Sequence, residues 1–361
     1  MGRSLDMRGT VLDAWTARKI GLPAGAFPRR EDIERHQLAM LRRTLREAKE
    51  NSPFYAKRLA GIDVERDIVC LEDLRRIPFT TEADLRNDGL AMLCVPQREV
   101  SRIVTLHTSG SAGKPKRIYF TEADQELTVD FFHHGMRIMT DETDLLLILL
   151  PCERPGSVGD LLRRGLARGG TASIAYGPLS RDDASADADA LAVIRERRVS
   201  AIVGGPVETA RLARSAPDCA AHIKSVLLST EYVSDENRQT IEECWECKVF
   251  EHYGTTESGL GGAMACHVRE GYHPREADLL FEITDPESGR ALPCGAWGEV
   301  VFTTLTRHAM PFIRYRIGDR GRWRPDPCGC GSALKRLDRI GDRAAIKNRA
   351  PDPQDETEAT Q

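Results

Sequence analysis

Residues 107–116 read HTSGSAGKPK, a run of hydroxyls, glycines and lysines of the kind that holds anionic oxygen. Gly110 and Gly113 let a backbone come close to a ligand and take up positive φ, while Thr108, Ser109, Ser111, Lys114 and Lys116 supply donors. Such a loop suits a triphosphate; its alternative reading is a plain polar hairpin turn. It is not a Walker A loop, because Gly110 precedes Gly113 and Lys114 too closely and Pro115 stands where that motif needs Ser or Thr. Two other stretches carry ligand chemistry. IKSVLLST (223–230) runs into EYVSDENR, and KVFEHYG (248–254) runs into TTESG. In an open α/β sheet, ligands bind beyond the carboxyl ends of strands, so both junctions are candidate contacts. Tyr253 is suited to lie on a purine or else to pack, and Glu257 to hold a magnesium ion between phosphate oxygens. In FIRYRIGDRGRW (312–323), Asp319 follows a glycine in an expected turn, where it either accepts two hydrogen bonds from a ribose diol or simply closes the turn.

The cysteines form a separate group. CHVREGYH supplies Cys266 and His273, and PDPCGCGS supplies Cys328 and Cys330. Two soft pairs from distant segments are compatible with a structural Cys₃His zinc site; the alternative is that Cys328 and Cys330 are exposed turn thiols, since C-x-C is less specific than C-x-x-C. CWEC (244–247) is C-x-x-C, yet it sits at an expected helix end without the strand-before-helix setting of a redox motif, and is read as a helix face.

The elements that position these residues alternate. SRIVTL (101–106) and RIYF (117–120) read as strands around the first loop. Residues 31–50 have helical periodicity, stopped at Pro53, and Thr81 with Glu82 and Asp84 reads as a capped helix start. From 121 onward helices and strands alternate: strands at 144–151, 171–178, 201–206, 223–230 and 248–254, and helices at 121–139, 158–170, near 184–197 and near 207–215. That alternation means parallel βαβ units. Beyond about 277 the pattern changes to the strand-like runs LLFEIT, GEVVFTTL and RGRWR. The tail RAPDPQDETEATQ (349–361) has nothing apolar to fold on and is expected to be disordered.

A chain of 361 residues is long enough for a large core and for two or three units of ~100–200 residues. With a net charge of −4 and both signs scattered, neither nucleic acid nor a membrane surface is an expected partner. The first residues have no apolar leader core and no 18-residue apolar run occurs, so a cytoplasmic location is expected. Ten cysteines there point to buried thiols or metal rather than disulfides.

HTSGSAGKPK, HYGTTE and YRIGD together resemble, in this order and at similar spacings, the phosphate, magnesium-and-adenine and ribose motifs of the adenylate-forming acyl ligases. LREAKENSPFYAKRL and LEDLRRIPFTTEADLR are similar to the branch typified by phenylacetate:coenzyme A ligase. The resemblance implies that Thr108, Ser109, Gly110, Ser111, Gly113 and Lys116 cradle the β and γ phosphates, and that Glu257 ligates magnesium. It implies that Glu231, Tyr232, Tyr253, Gly254, Thr255 and Thr256 surround the nucleotide, that Asp319 binds the ribose, and that Arg339 lies near ribose or phosphate. Some members also resemble this chain in carrying zinc at the Cys266 and Cys328 region. His133 and His134, on an expected helix, fall at the edge of the acyl pocket or in the core. The implied fold is α/β: the large N-terminal domain of adenylate-forming enzymes, with mixed and parallel βαβ sheets plus a small β subdomain. On this reading, 1–100 is a helical part, 101–276 the nucleotide-binding core, 277–345 the β subdomain and 346–361 a disordered tail.

The sequence departs from the family in two places. CERPGSVGDLL (152–162) is not the aromatic-rich stretch expected of phenylacetate-type members, leaving the acid open. The family also continues through an acidic hinge into a mobile lid carrying a catalytic lysine, whereas here Ala344 and Ala345 fall near the hinge and the chain ends at Gln361. A missing lid is therefore expected, with a loss of about 10²–10³ in rate. Lys116 and Glu257 are the expected catalytic residues of an enzyme that uses ATP and magnesium to convert a carboxylic acid to its acyl-AMP. The acceptor is expected to be coenzyme A or a group held by a partner protein, which could also supply the lid. The alternative is a catalytically weak nucleotide-binding scaffold.

Overall fold

The computed structural model describes residues 9–106, 114–180 and 184–340; the loop residues 107–113 and the expected tail lie outside them. The N-terminal part is helical: α1 (Val11–Lys19), α2 (Arg30–Asn51), α3 (Pro53–Arg58), α4 (Val64–Asp67) and α5 (Glu82–Asp88). Pro53 ends one helix by starting the next, with Ser52 Oγ accepting from the Tyr55 amide. Thr81 caps α5 with a reciprocal Asp84 contact, as its sequence implies. β1 (Arg102–Leu106) and β2 (Lys116–Phe120) then pair antiparallel, with Leu106 opposite Lys116.

Next come α6 (Glu122–Met136), β3 (Leu145–Ile148), α7 (Val158–Arg168), β4 (Ala172–Ala175), α8 (Ala184–Arg197), β5 (Ala201–Gly204), α9 (Pro206–Ser215), β6 (Ser225–Leu228), α10 (Asp235–Trp245) and β7 (Lys248–Tyr253). β8 (Ala263–Met264) and β9 (His273–Pro274) complete a seven-stranded sheet of order β4-β3-β5-β6-β7-β8-β9, parallel as far as β7 and antiparallel beyond. Alternation along β3 explains the layers. Leu146 and Ile148 pack with α6 and α7, whereas Leu147 and Leu149 pack with α8, α9 and α10. Each such side chain, fully buried, contributes about 1.5–3 kcal/mol.

β10 (Leu279–Thr284), β11 (Gly298–Thr304) and β12 (Tyr315–Gly321) form a separate antiparallel sheet. It shares a core with the N-terminal helices: Leu41, Leu45 and Tyr55 pack in one cluster with Phe302 and Phe312, and Tyr55 donates to the Pro311 carbonyl at 3.0 Å. The third strand differs from the sequence reading, which put RGRWR there and Asp319 in a turn. β12 starts earlier, at Tyr315, and contains Asp319; Gly318, at φ +80°, and a register shift opposite Glu299 and Val301 absorb the irregularity without leaving the ladder.

Candidate active site

A cleft of about 1690 Å³, counting its open mouth, lies beyond the carboxyl ends of β6 and β7. Residues 229–233, after β6, and 252–257, from the end of β7 onward, line one side; Tyr315, Ile317 and Asp319 of β12 line another. Leu106 and Lys116, paired across β1 and β2, also border it. Thr108, Ser109, Gly110, Ser111 and Gly113 themselves fall outside the described residues.

Glu257 is buried, and its Oε1 accepts from Lys116 Nζ at 2.9 Å and from the Tyr315 hydroxyl at 3.3 Å. Lys116 also lies 3.4 Å from Glu82. The turn carrying Glu257 is fixed locally: the Thr255 amide donates to Ser258 Oγ at 3.0 Å, and the Ser258 amide to Thr255 Oγ1 at 3.2 Å. Arg307 fixes it from outside. It donates to the Glu257 carbonyl at 2.6 Å and to the Tyr119 carbonyl at 3.2 Å, with its guanidinium 4.3 Å from the Phe120 ring centroid. This arginine therefore ties the turn to β2. Sequence reasoning missed it, the only signal being one charge in the apolar run 305–313.

Tyr253 donates to Asp319 Oδ2 at 2.9 Å, which joins the second and third motifs. Glu231 and Tyr232 line the cleft after β6, with Gly254, Thr255 and Thr256 beside them after β7. Arg339 is anchored at the cleft wall. It donates to Glu251 at 3.0 Å and to the Val233 carbonyl at 2.6 Å, and it also pairs with Asp235.

An apolar pocket opens at the cleft's floor, where Val158, Ser229 and His252 line both spaces. Phe131, Phe132 and Gly135 of α6 form its wall, with Val158 and Leu162 from the 152–162 segment. His133 and His134 do not line it. They lie on the part of α6 that faces α1 and α7: the His134 ring is 6.1 Å from Trp15 and 3.0 Å from Arg18 Nη2, and a Cβ at Gly169 would meet the His133 ring at 3.1 Å. Burial pushes the His252 ring down to about 4 from its ordinary 6.5, helped by the charge of Arg275. The folded state thus disfavours proton binding, and this part of the stability is complete above pH 6.5 and lost as pH falls toward 4. Between about pH 7 and about pH 5 the wild type is expected to lose about 2 kcal/mol more unfolding free energy than His252→Phe. Denaturant melts at the two pH values check this, and equal slopes would exclude it.

Cys266, His273, Cys328 and Cys330 meet in a buried cluster, their ligand atoms all within 4.8 Å of one another. Cys266 Sγ and Cys328 Sγ are 3.6 Å apart, and Cys330 Sγ is 3.3 Å from His273 Nε2. Tetrahedral zinc with Zn–S near 2.3 Å separates two sulfurs by about 3.8 Å, so the donor set fits that ion. His273 Nδ1 lies 3.1 Å from the Lys335 carbonyl, which leaves Nε2 facing the sulfurs. Cys244 and Cys247 flank the end of α10, and burial pushes the Cys247 thiol up to about 12, opposite to a redox-active thiol.

The AMP-binding enzyme family matches residues 48–306 of the chain. Phenylacetate-coenzyme A ligase of Pseudomonas putida is 30% identical over 334 residues, covering 86% of this chain and 71% of that protein. Its namesake from Escherichia coli (strain K12) is 29% identical over 327 residues, covering 87% and 72%. A structure of 2-hydroxyisobutyryl-CoA ligase in complex with 2-HIB-AMP and CoA superposes with a TM-score of 0.78 at 24% identity, over 89% of this chain and 72% of that one, and shares the fold. With Lys116, the HYGTTE residues and Asp319 on one cleft of that fold, the chain belongs to the AMP-binding enzyme family.

Proposed function

We propose that the protein activates a carboxylic acid with ATP and magnesium, forming acyl-AMP and pyrophosphate, and then passes the acyl group to the thiol of coenzyme A. The observation that carries this reading is one cleft that joins Lys116, Glu257, Tyr253 and Asp319 to an apolar pocket at its floor. An acid seated in that pocket extends its carboxylate into the cleft. A carboxylate oxygen attacks the α-phosphorus and the bond to the pyrophosphate oxygen breaks, chemistry that depends on positioning and on offsetting charge. Lys116 and the loop 108–113 receive the leaving phosphates. Glu257 would hold the magnesium ion, which offsets phosphate charge when bound. Asp319, oriented by Tyr253, accepts from the ribose hydroxyls, and Arg339 stands at the ribose side. In the second step a thiolate attacks the acyl carbon and AMP leaves; a thiol held by a partner protein is the other acceptor to assay.

Cys266, His273, Cys328 and Cys330 would hold a zinc ion with a structural role, since all four positions are taken by protein ligands. A cytoplasmic location agrees with ten cysteines of which none is in a disulfide. Among the described residues no helix is long and apolar enough to cross a membrane.

ATP–pyrophosphate exchange over a panel of aryl and aliphatic acids tests the reading. Exchange with none of them would leave a nucleotide-binding scaffold. A finer expectation concerns Tyr253→Phe, which removes the hydroxyl that orients Asp319. Loss of one hydrogen bond to a carboxylate raises the KM for ATP by about tenfold, with little change in kcat. An unchanged KM would separate Tyr253 from nucleotide binding.

A further inference from the structure

The apolar pocket has one polar edge. Of the described residues that line it, only Ser229 and His252 carry a side-chain oxygen or nitrogen. His252 Nδ1 lies 3.1 Å from Ser229 Oγ, but Nε2 is buried without a hydrogen-bond partner among the described residues. A buried ring nitrogen left unpaired is costly, and it is a feature that a ligand can satisfy.

Its place narrows what that ligand group is. His252 and Ser229 border both the pocket and the cleft, so they flank the point where an acid passes from one to the other. A polar group that meets Nε2 is therefore borne by the carbon next to the carboxylate, with the rest of the acid among Phe131, Phe132 and Met264. The charge of the group follows from the surroundings. Burial keeps the ring neutral, and Arg275 adds a positive field. A second cation is disfavoured there. A neutral imidazole presents either an N–H or a lone pair at Nε2, according to its contact with Ser229, and a hydroxyl complements both.

On the reading of the cleft as an adenylation site, we propose that the pocket selects a 2-hydroxy acid with an apolar ring or branched chain, the hydroxyl pairing with His252 Nε2. A site built to pair a substrate hydroxyl rejects the analogue lacking it, because its own polar atom is then stranded.

Two matched pairs test this on the full chain: mandelate against phenylacetate, and 2-hydroxyisobutyrate against isobutyrate. Dissociation constants come from calorimetry, and kcat/KM from ATP-dependent pyrophosphate release. The expected result is a preference of about tenfold or more for the hydroxy acid in the pair that binds more tightly. His252→Leu brings that ratio to about one, and His252→Gln, which keeps a hydrogen-bonding amide, retains part of it. The wild-type ratio needs no variant, so misfolding of either leaves the test intact. Equal affinity for both members, binding of neither pair, or an equal loss for both members in a folded His252→Leu overturns the assignment; the last would place His252 on the shared carboxylate. Preferential binding of a hydroxy acid without pyrophosphate release upholds the pocket and removes the adenylation reading. Pyrophosphate release with only the deoxy acids does the reverse.

Discussion

Glu257→Gln is expected to lower ATP–pyrophosphate exchange by about 10²–10³-fold, the cost typical of one preorganised electrostatic group. The change is nearly isosteric. Its effect on folding is limited because Lys116 keeps Glu82 at 3.4 Å and an amide oxygen still accepts from the Tyr315 hydroxyl. The loss falls on charge: a buried carboxylate 2.9 Å from the Lys116 ammonium becomes neutral, and a magnesium ion held there would lose an anionic ligand. Lys116→Ala acts from the other side. It strands the Glu257 carboxylate in the protein and removes a positive charge from the cleft, and exchange is expected to fall at least about tenfold. Because the two groups touch, the double variant loses less than the product of the single effects. Exchange assays paired with thermal melts distinguish chemistry from unfolding. A folded Glu257→Gln with wild-type exchange would sink the assignment of this carboxylate.

Much of this arrangement is legible in the sequence, for physical reasons that differ from residue to residue. The βαβ rhythm located the parallel strands, because burial on both faces leaves continuous apolar runs such as LLLILL (145–150) and, at the cleft, SVLL (225–228). The rule that Gly followed by Asp makes a turn failed at 318–319, where pairing of β12 with β11 outweighs local propensity and the glycine's positive φ is absorbed as a bulge. Of the two places open to His133 and His134, the pocket edge is not taken and packing against α1 and α7 is: adjacent helical residues point about 100° apart, so Phe131, Phe132 and Gly135 reach the pocket while the two histidines turn away from it. Arg307 was not legible at all. Its partners, the carbonyls of Glu257 and Tyr119, lie 50 and 188 residues away, and no local pattern encodes such a contact. The cysteine spacing suggested a ligand set without deciding between metal and turn thiols, since only tertiary structure brings 266 and 273 to 328 and 330.

That quartet leads to the largest expected effect on stability. The purified protein is expected to carry about one zinc per chain, and Cys328→Ser or prolonged chelation is expected to cost most of its stability. Structural zinc in small peptides is worth about 10–16 kcal/mol of apparent binding, comparable to the whole ~5–15 kcal/mol by which a domain is stable. The position of the site explains why the loss would spread. Cys266 follows β8 and His273 begins β9 at the edge of the large sheet, whereas Cys328 and Cys330 follow β12 of the small one. One ion would thus link the two sheets, and His273 also contacts the Lys335 carbonyl in the segment that carries Arg339 to the cleft wall. Without the ion, three buried thiols and an imidazole share a space in which only some can pair, and residues 325–340 keep the contacts of Ala333 and Lys335 with Asp13 and Glu276 but lose their tie to β8 and β9 through it. Metal analysis and thermal melts on the same preparation, before and after chelation, measure both quantities. A folded protein from zinc-replete medium that holds no metal, or a melting temperature that chelation leaves unmoved, would reduce the quartet to a cluster of buried thiols.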